Sequence, residues 1–309
     1  MKGIYFDGAN AQYREDLPMP VPAQGESLVR ILMAAVCNTD KEILRGYRPD
    51  FQGVMGHEFV GVVEESPNPA LVGKRVAGEL NATCGQCVYC RTGRPTHCSY
   101  RRVLGMHDKD GCFAQYMTID TALLHEVPEG LPTEEAVYTE PLAAAYEILT
   151  QITMTPDKNI AVLGDGRLAY CVTQAMHAEG HQVTVIGKHK EKLALFAPYA
   201  QTTMERADEA YEIVIEATGS PTGLAQALSM VRKKGTIVLK STYAGETSLP
   251  MSLVAVNEIS IIGSRCGPFP PAIAALAERR VHFPAIELFD PKDYQQAFNH
   301  TGFKAGFLF

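Results

Sequence analysis

No stretch of the 309-residue chain approaches the ~18 uninterrupted apolar residues that span a bilayer, so no membrane partner is expected. The opening MKGIYFDGANAQYRED brings an Asp at position 7 and no apolar core of signal-peptide length. Positive charge is scarce as well. The 28 Lys and Arg stand against 35 Asp and Glu, a net charge of −7, which withholds the electrostatic drive of non-specific nucleic-acid binding. RTGR followed by YRR is the one basic cluster, and no nucleic-acid partner is expected from it. Internal repeats and low-complexity segments are missing too. A cytoplasmic chain is the expectation.

What is present is a 46% hydrophobic composition, enough at ~150 residues per domain for about two cores. Eight cysteines in a reducing compartment point to metal ligands or free thiols rather than disulfides. The first third reads as β: SLVRILMAAVC, EFVGVVEE and FAQYMTI are apolar, β-branched runs parted by loops rich in Gly and Pro. From TEEAVYTEPLAAAYEILTQI onward the pattern changes to helix, and strands then alternate with helices. Such alternation means βαβ units on a parallel sheet. An α/β chain follows, with a β-rich domain over 1–136 and 265–309 and a doubly wound domain over 137–264.

NIAVLGDGRLA places Gly164, Gly166, Arg167, Leu168 and Ala169 as G-x-G-x-x-A between an apolar strand and a helix. In such a turn the first glycine permits the tight bend and the second lets the backbone approach a pyrophosphate. The third small residue brings helix and strand together, and the helix N-terminus presents free N–H groups. An NAD enzyme places a carboxylate at the end of the next strand, about 20 residues on, against the ribose 2′-hydroxyl. This chain has Gly187-Lys188-His189-Lys190 there. With cations in place of a carboxylate, NADP(H) is favoured over NAD(H).

CGQCVYCRTGRPTHC holds Cys84, Cys87, Cys90 and Cys98 as C-x2-C-x2-C-x7-C. Four thiolates at this spacing suit a closed tetrahedral zinc site, while an Fe–S cluster or a redox pair are the alternatives. A sparser set lies outside it: Cys37, Thr39 and Asp40 in AAVCNTDKE, His57 and Glu58 in VMGHEFVG, and Glu140 in VYTEPLAAAY. Spacing alone does not single that set out.

C-N-T-D, G-H-E-F-V-G, the four-cysteine lobe, E-P-L-A, G-x-G-x-x-A and E-A-T-G, in this order and nearly end to end, resemble the zinc-dependent medium-chain dehydrogenases, and most closely their polyol, threonine and glucose dehydrogenase branch. The resemblance implies a GroES-like catalytic domain, a Rossmann domain and a homodimer or homotetramer. It also implies two zinc ions per chain. Cys37, His57, Glu58 and Glu140 match the catalytic ligand set, with either glutamate able to bind directly, and the four-cysteine lobe matches the structural site. Asp40 matches the carboxylate that orients the metal-bound His, and Thr39 the hydroxyl that starts a proton relay. Thr218 and Gly219 of the E-A-T-G motif join the cofactor-binding residues. Where relatives finish the relay with His this chain has Glu42, so a carboxylate or water would end it.

The implied reaction passes a hydride between a secondary alcohol, polyol or sugar-type hydroxyl and the nicotinamide, with zinc as Lewis acid. A quinone or enoyl reductase on the same scaffold would have no use for Cys37, His57 and Glu140. A zinc-ribbon binding protein would leave the Gly164–Ala169 turn unexplained. Two segments are short for the family: the loop after G-H-E, and the stretch between KEKLALFAPYA and EIVIEATG, where a trimmed helix is expected. Tyr47, Arg48, Met106 and His107 are candidates for lining the pocket.

Overall fold

In the computed structural model, which describes residues 1–243 and 246–309, the chain opens with strands β1 (Gly3–Phe6), β2 (Ala11–Arg14) and β3 (Glu26–Ala35) and a short helix α1 (Asn38–Leu44). Strands β4 (Gly53–Val54), β5 (Glu58–Glu65) and β6 (Arg75–Gly78) follow; β7 (Asn81–Ala82), α2 (Val88–Arg91) and β8 (Arg102–Val103) carry the cysteine lobe. Then come β9 (Tyr116–Asp120), β10 (Leu124–Glu126), α3 (Thr133–Ala136) and α4 (Thr139–Gln151). The alternating part runs β11 (Ile160–Leu163), α5 (Arg167–Ala178), β12 (Val183–Ile186), α6 (Lys190–Phe196), β13 (Gln201–Thr203) and β14 (Tyr211–Glu216). It continues through α7 (Gly223–Met230), β15 (Val231–Leu239), α8 (Met251–Val256), β16 (Ser260–Gly263) and α9 (Phe269–Ala277). The chain closes with β17 (Glu287–Phe289), α10 (Tyr294–Asn299) and β18 (Ala305–Leu308). No described helix is long and apolar enough to cross a membrane.

Two units result. The first combines Met1–Glu140 with Phe283–Phe309. Its main sheet orders β10-β6-β5-β3-β18-β17, with β9 also pairing β3. The central strand β3, ESLVRILMAA, is buried along most of its length because it has a partner on each edge and apolar residues on both faces. Ala35, at its end, lies opposite Glu58 of β5 on one side and Gly306 of β18 on the other. That register brings the chain ends beyond three strands to one place.

The second unit, Pro141–His282, holds a six-stranded parallel sheet ordered β13-β12-β11-β14-β15-β16. This is the doubly wound order, with β11 first of its half. All four residues of β11, IAVL, are buried, as a strand covered by helices on both faces requires. Ala161, Leu163, Val214 and Ile237 of the sheet pack with Leu224, Ala227 and Leu228 of α7. Between β13 and β14 the chain runs from 204 to 210 without a helix, which is the trimmed segment read from the sequence.

The boundary between the units differs from the expected one. The second unit extends past 264 to His282, because α9 packs on α5 and the chain after it is bonded to α5. Tyr170 Oη donates to the His282 carbonyl at 3.1 Å, and the His282 N–H donates to Gln174 Oε1 at 2.8 Å. Only the last 27 residues, Phe283–Phe309, belong with the N-terminal unit, where β18 joins β3.

Candidate active site and metal centres

Cys37 stands just past the end of β3 and caps α1, whereas His57 immediately precedes β5. The Ala35–Glu58 pairing therefore sets them side by side. One ligand atom from each of Cys37, His57 and Glu58 lies within 4.8 Å of the others, with His57 and Glu58 buried. Asp40 ties this set together. Its Oδ2 accepts the Cys37 N–H at 2.8 Å, and its Oδ1 faces His57 Nδ1 at 3.4 Å. Asp40 Oδ1 and His57 Nδ1 are fully buried without a hydrogen-bond partner, so the pair is held by charge and position. Burial opposes a charged imidazole, but the Asp40 and Cys37 charges outweigh it and hold His57 well above its ordinary pKa. The surroundings are thus strongly anionic, and one Cys, one His and one carboxylate form a donor set that suits Zn²⁺ with a position left open.

Thr39 Oγ1 lies 3.7 Å from Cys37 Sγ, at the rim of the cluster. Glu140 is in the first turn of α4 and does not join the three ligand atoms. Glu42, one turn along α1 from Thr39, pairs instead with Arg45 at 2.6 Å, since i and i+3 share a helix face. Tyr47 is exposed, and Arg48 contacts His107 Nδ1 at 2.9 Å while also pairing with Asp50.

Two residues at this centre escape sequence reasoning. Lys304 directly precedes β18, so the Ala35–Gly306 pairing delivers its buried ammonium to Glu58 Oε2 as an ion pair. Cys112 is fully buried with its Sγ 3.6 Å from the Glu58 carbonyl. Burial, then the charges of Asp40 and Glu58, push that thiol well above its usual pKa. A Lys placed where a strand should begin, 2 residues before the paired Gly306, was the available signal for the first.

The four-cysteine lobe forms a second, separate cluster. Its Sγ–Sγ separations are 3.5 Å for Cys87–Cys90 and Cys84–Cys98, and 3.8 Å for Cys87–Cys98. A tetrahedron of sulfurs about 2.3 Å from zinc has edges near 3.8 Å, so the thiols fit the ion closely. Backbone N–H groups of Cys84 and Tyr100 approach Cys98 Sγ at 3.3 Å, and that of Cys87 approaches Cys84 Sγ at the same distance. Hydrogen bonds from the Cys90 and Ser99 backbone bring Cys87 down to about 6, favouring the thiolate.

In the second unit, Gly164 takes a φ of +127°, and a Cβ there would meet the Ala217 carbonyl oxygen at 2.7 Å. Only glycine fits both demands. Gly166 caps α5, with open space where its Cβ would stand, and Arg167 and Leu168 begin the helix. No side chain caps this helix N-terminus, the kind of end at which a pyrophosphate binds. At the end of β14 the buried Glu216 carboxylate accepts the Thr218 N–H at 2.8 Å and the Thr218 and Ser241 hydroxyls. The Gly219 N–H donates to Ser241 Oγ at 2.9 Å. Thr218 and Gly219 are thus fixed at the carboxyl edge of the sheet, where open α/β folds bind ligands.

The cations on which the NADP(H) expectation rests have an anionic neighbour. Lys188 and His189 are exposed at the end of β12, but a carboxylate is there too, supplied by Asp165 of the glycine-rich turn. Its Oδ2 accepts the Lys188 N–H at 2.6 Å, the His189 N–H at 2.9 Å, and lies 2.9 Å from His189 Nδ1.

Comparison with known proteins agrees with this geometry. Residues 23–129 match the alcohol dehydrogenase GroES-like domain, and residues 168–279 match the zinc-binding dehydrogenase domain. An alcohol dehydrogenase of Rhizobium meliloti is 31% identical over 82% of this chain and 80% of its own. A sorbitol dehydrogenase of Halalkalibacterium halodurans is 27% identical, over 87% of this chain and 85% of its own. Among solved structures, the alcohol dehydrogenase RspB of Escherichia coli CFT073, complexed with NADH, superposes with a TM-score of 0.90 at 25% identity, covering 100% of this chain and 99% of that one. With a GroES-like unit, a Rossmann unit and a Cys-His-Glu centre, the chain belongs to the zinc-type medium-chain dehydrogenase family.

Proposed function

We propose that the protein is a zinc-dependent alcohol or polyol dehydrogenase, passing a hydride between a secondary hydroxyl (or the matching carbonyl) and a nicotinamide dinucleotide. The observation that carries this reading is the pairing of two unlike centres: a closed set of four thiols, and a set of half-buried Cys37 with buried His57 and Glu58 that offers fewer ligands than zinc takes. A bound zinc supplies Lewis-acid polarisation of the substrate oxygen, and the dinucleotide supplies or accepts the hydride. The chain's own part is positioning and charge. Asp40 fixes the Cys37 backbone and faces the His57 ring, so two of the ligands share one support.

Lys304 pairs with Glu58 and offsets its charge beside the other two ligands. Glu140 is the candidate for a further ligand, completing or exchanging in the set. Thr39, with its hydroxyl 3.7 Å from Cys37 Sγ, is the candidate to take the substrate's proton. Glu42 is engaged by Arg45, so water is the favoured carrier onward from Thr39. A homodimer or homotetramer in the cytoplasm completes the reading. Which dinucleotide is used turns on Asp165 against the cations Lys188 and His189.

The test is a panel of secondary alcohols, polyols, sugars and 3-hydroxy amino acids, followed by absorbance of the reduced cofactor. Oxidation of at least one class by wild-type protein is expected, with turnover lost in Cys37→Ala while its circular dichroism is unchanged. Near-normal oxidation by Cys37→Ala would rule the mechanism out.

A further inference from the structure

The end of β12 is where a doubly wound fold meets the adenosine ribose of its cofactor, and this chain's own strand carries no acidic residue there. The carboxylate arrives from the neighbouring strand. Leu163 of β11 and Ile186 of β12 are level in the parallel register, so the residues just beyond each strand are neighbours. Gly187 makes the room: a Cβ on it would sit 2.7 Å from Asp165 Cβ and 2.8 Å from Oδ2. Any other residue at 187 would displace the Asp165 side chain. The absence of a side chain at 187 and the presence of a carboxylate at 165 are two halves of one arrangement.

Three donors converge on Oδ2, two of them the backbone N–H groups of Lys188 and His189. Those are the donors that a 2′-phosphate would need at this turn. Partial burial works to raise the Asp165 pKa, but the bonds from His189 and Lys188 outweigh it and keep the group ionised. A 2′-phosphate here would therefore meet a fixed anion whose hydrogen-bond donors are already taken. A ribose diol would find in Oδ1 an acceptor outside the set of three.

We infer that Asp165, seated over Gly187, is the ribose-selecting carboxylate of this protein, and that it makes the site prefer NAD(H) to NADP(H) despite the cationic run Gly187–Lys190. The inference rests on the dehydrogenase reading above and adds the identity of the selecting residue. Asp165 acts at the adenosine end, remote in chemistry from hydride transfer, so its effect belongs to binding rather than to kcat.

Binding can be read without turnover, from the fluorescence of NADH and NADPH titrated with the full-length protein. Wild-type protein is expected to bind NADH at least about tenfold more tightly than NADPH, the size of one charge-assisted hydrogen bond made or refused. In Asp165→Ser the two affinities should converge to within about threefold or invert, chiefly through tighter NADPH binding. Asp165→Asn keeps the shape and an acceptor, and so serves if the serine variant folds poorly; it should raise NADPH affinity while leaving NADH affinity weaker by less than the serine variant does. A wild-type preference for NADPH would overturn the role of Asp165 and leave the dehydrogenase reading standing. An equal loss of both nucleotides in the two variants would make Asp165 merely a support for the turn, and would also overturn the inference. Failure of wild-type protein to bind either nucleotide would sink the inference and the dehydrogenase reading together.

Discussion

Lys304 and Glu58 meet as an ion pair in which neither side chain is more than 5% exposed, at the edge of the Cys37-His57 centre. A pair so buried is a weak source of net stability, but it is expensive to break from one side, because the surviving charge has no water to turn to. Lys304→Met is therefore expected to destabilise the protein by about 3 kcal/mol or more, read as a lowered urea midpoint. Lys304→Met combined with Glu58→Gln should recover much of that loss. If the single variant melts like wild type, Glu58 has another counter-charge.

Asp40 contacts two ligands by different means, bonding to the backbone of one and facing the ring of the other. Asp40→Asn removes the charge opposite His57 while preserving size. Metal affinity at this centre should fall about 10–100-fold, as is usual when a ligand-orienting carboxylate is lost. Chelator competition measures it, and the metal of the cysteine lobe should be retained throughout.

The two candidate metal centres predict opposite phenotypes. Wild-type protein should carry about two zinc ions per chain, and Cys37→Ala and Cys90→Ser about one each. Cys37→Ala should keep its thermal midpoint, whereas Cys90→Ser should lower it and aggregate first, since a structural ion contributes directly to folding. Elemental analysis alongside a melting curve separates them; a melting point unchanged in Cys90→Ser would deny the lobe a structural role.

A third buried acid gives a pH dependence. Glu26, at the start of β3, accepts from Lys109 Nζ at 2.7 Å and from the Ala23 N–H at 3.2 Å. Burial works to raise its pKa, but Lys109 and the Ala23 N–H outweigh it and bring the group below 4.5. A lowered folded value means stabilisation that is complete above about 4.5 and disappears as pH falls through the folded value. Glu26→Gln should thus be less stable than wild type at pH 7, and the gap should close progressively below pH ~4.5. Urea titrations at several pH values decide it, and a gap that widened on acidification would contradict the assignment.

Much of this was legible in residue order because the relevant groups are local. The β11 turn and helix and the four thiols each span at most a few turns of chain, so spacing carries their geometry, whereas the Cys37–Asp40 segment is equally short but is singled out only by the order of motifs that resembles the family. What spacing could not convey are contacts made across sheet register. Glu58 and Lys304 are joined only because β3 pairs β5 on one edge and β18 on the other. Asp165 reaches the end of β12 by the level register of β11 and β12, so reading β12 alone missed the carboxylate. The boundary at His282 was hidden for the same reason: bonds from Tyr170 and Gln174, more than a hundred residues earlier, hold that stretch.

The place of β18 beside β3 also orders events during synthesis. The second unit is one continuous stretch, Pro141–His282, and can close as it leaves the ribosome. The first unit cannot. Until Lys304 and β18 emerge, β3 has one edge incompletely paired and Glu58 has no ammonium to face. The first unit, begun before the second, is therefore finished after it, leaving an open strand edge for a chaperone, or for a second nascent chain, to find.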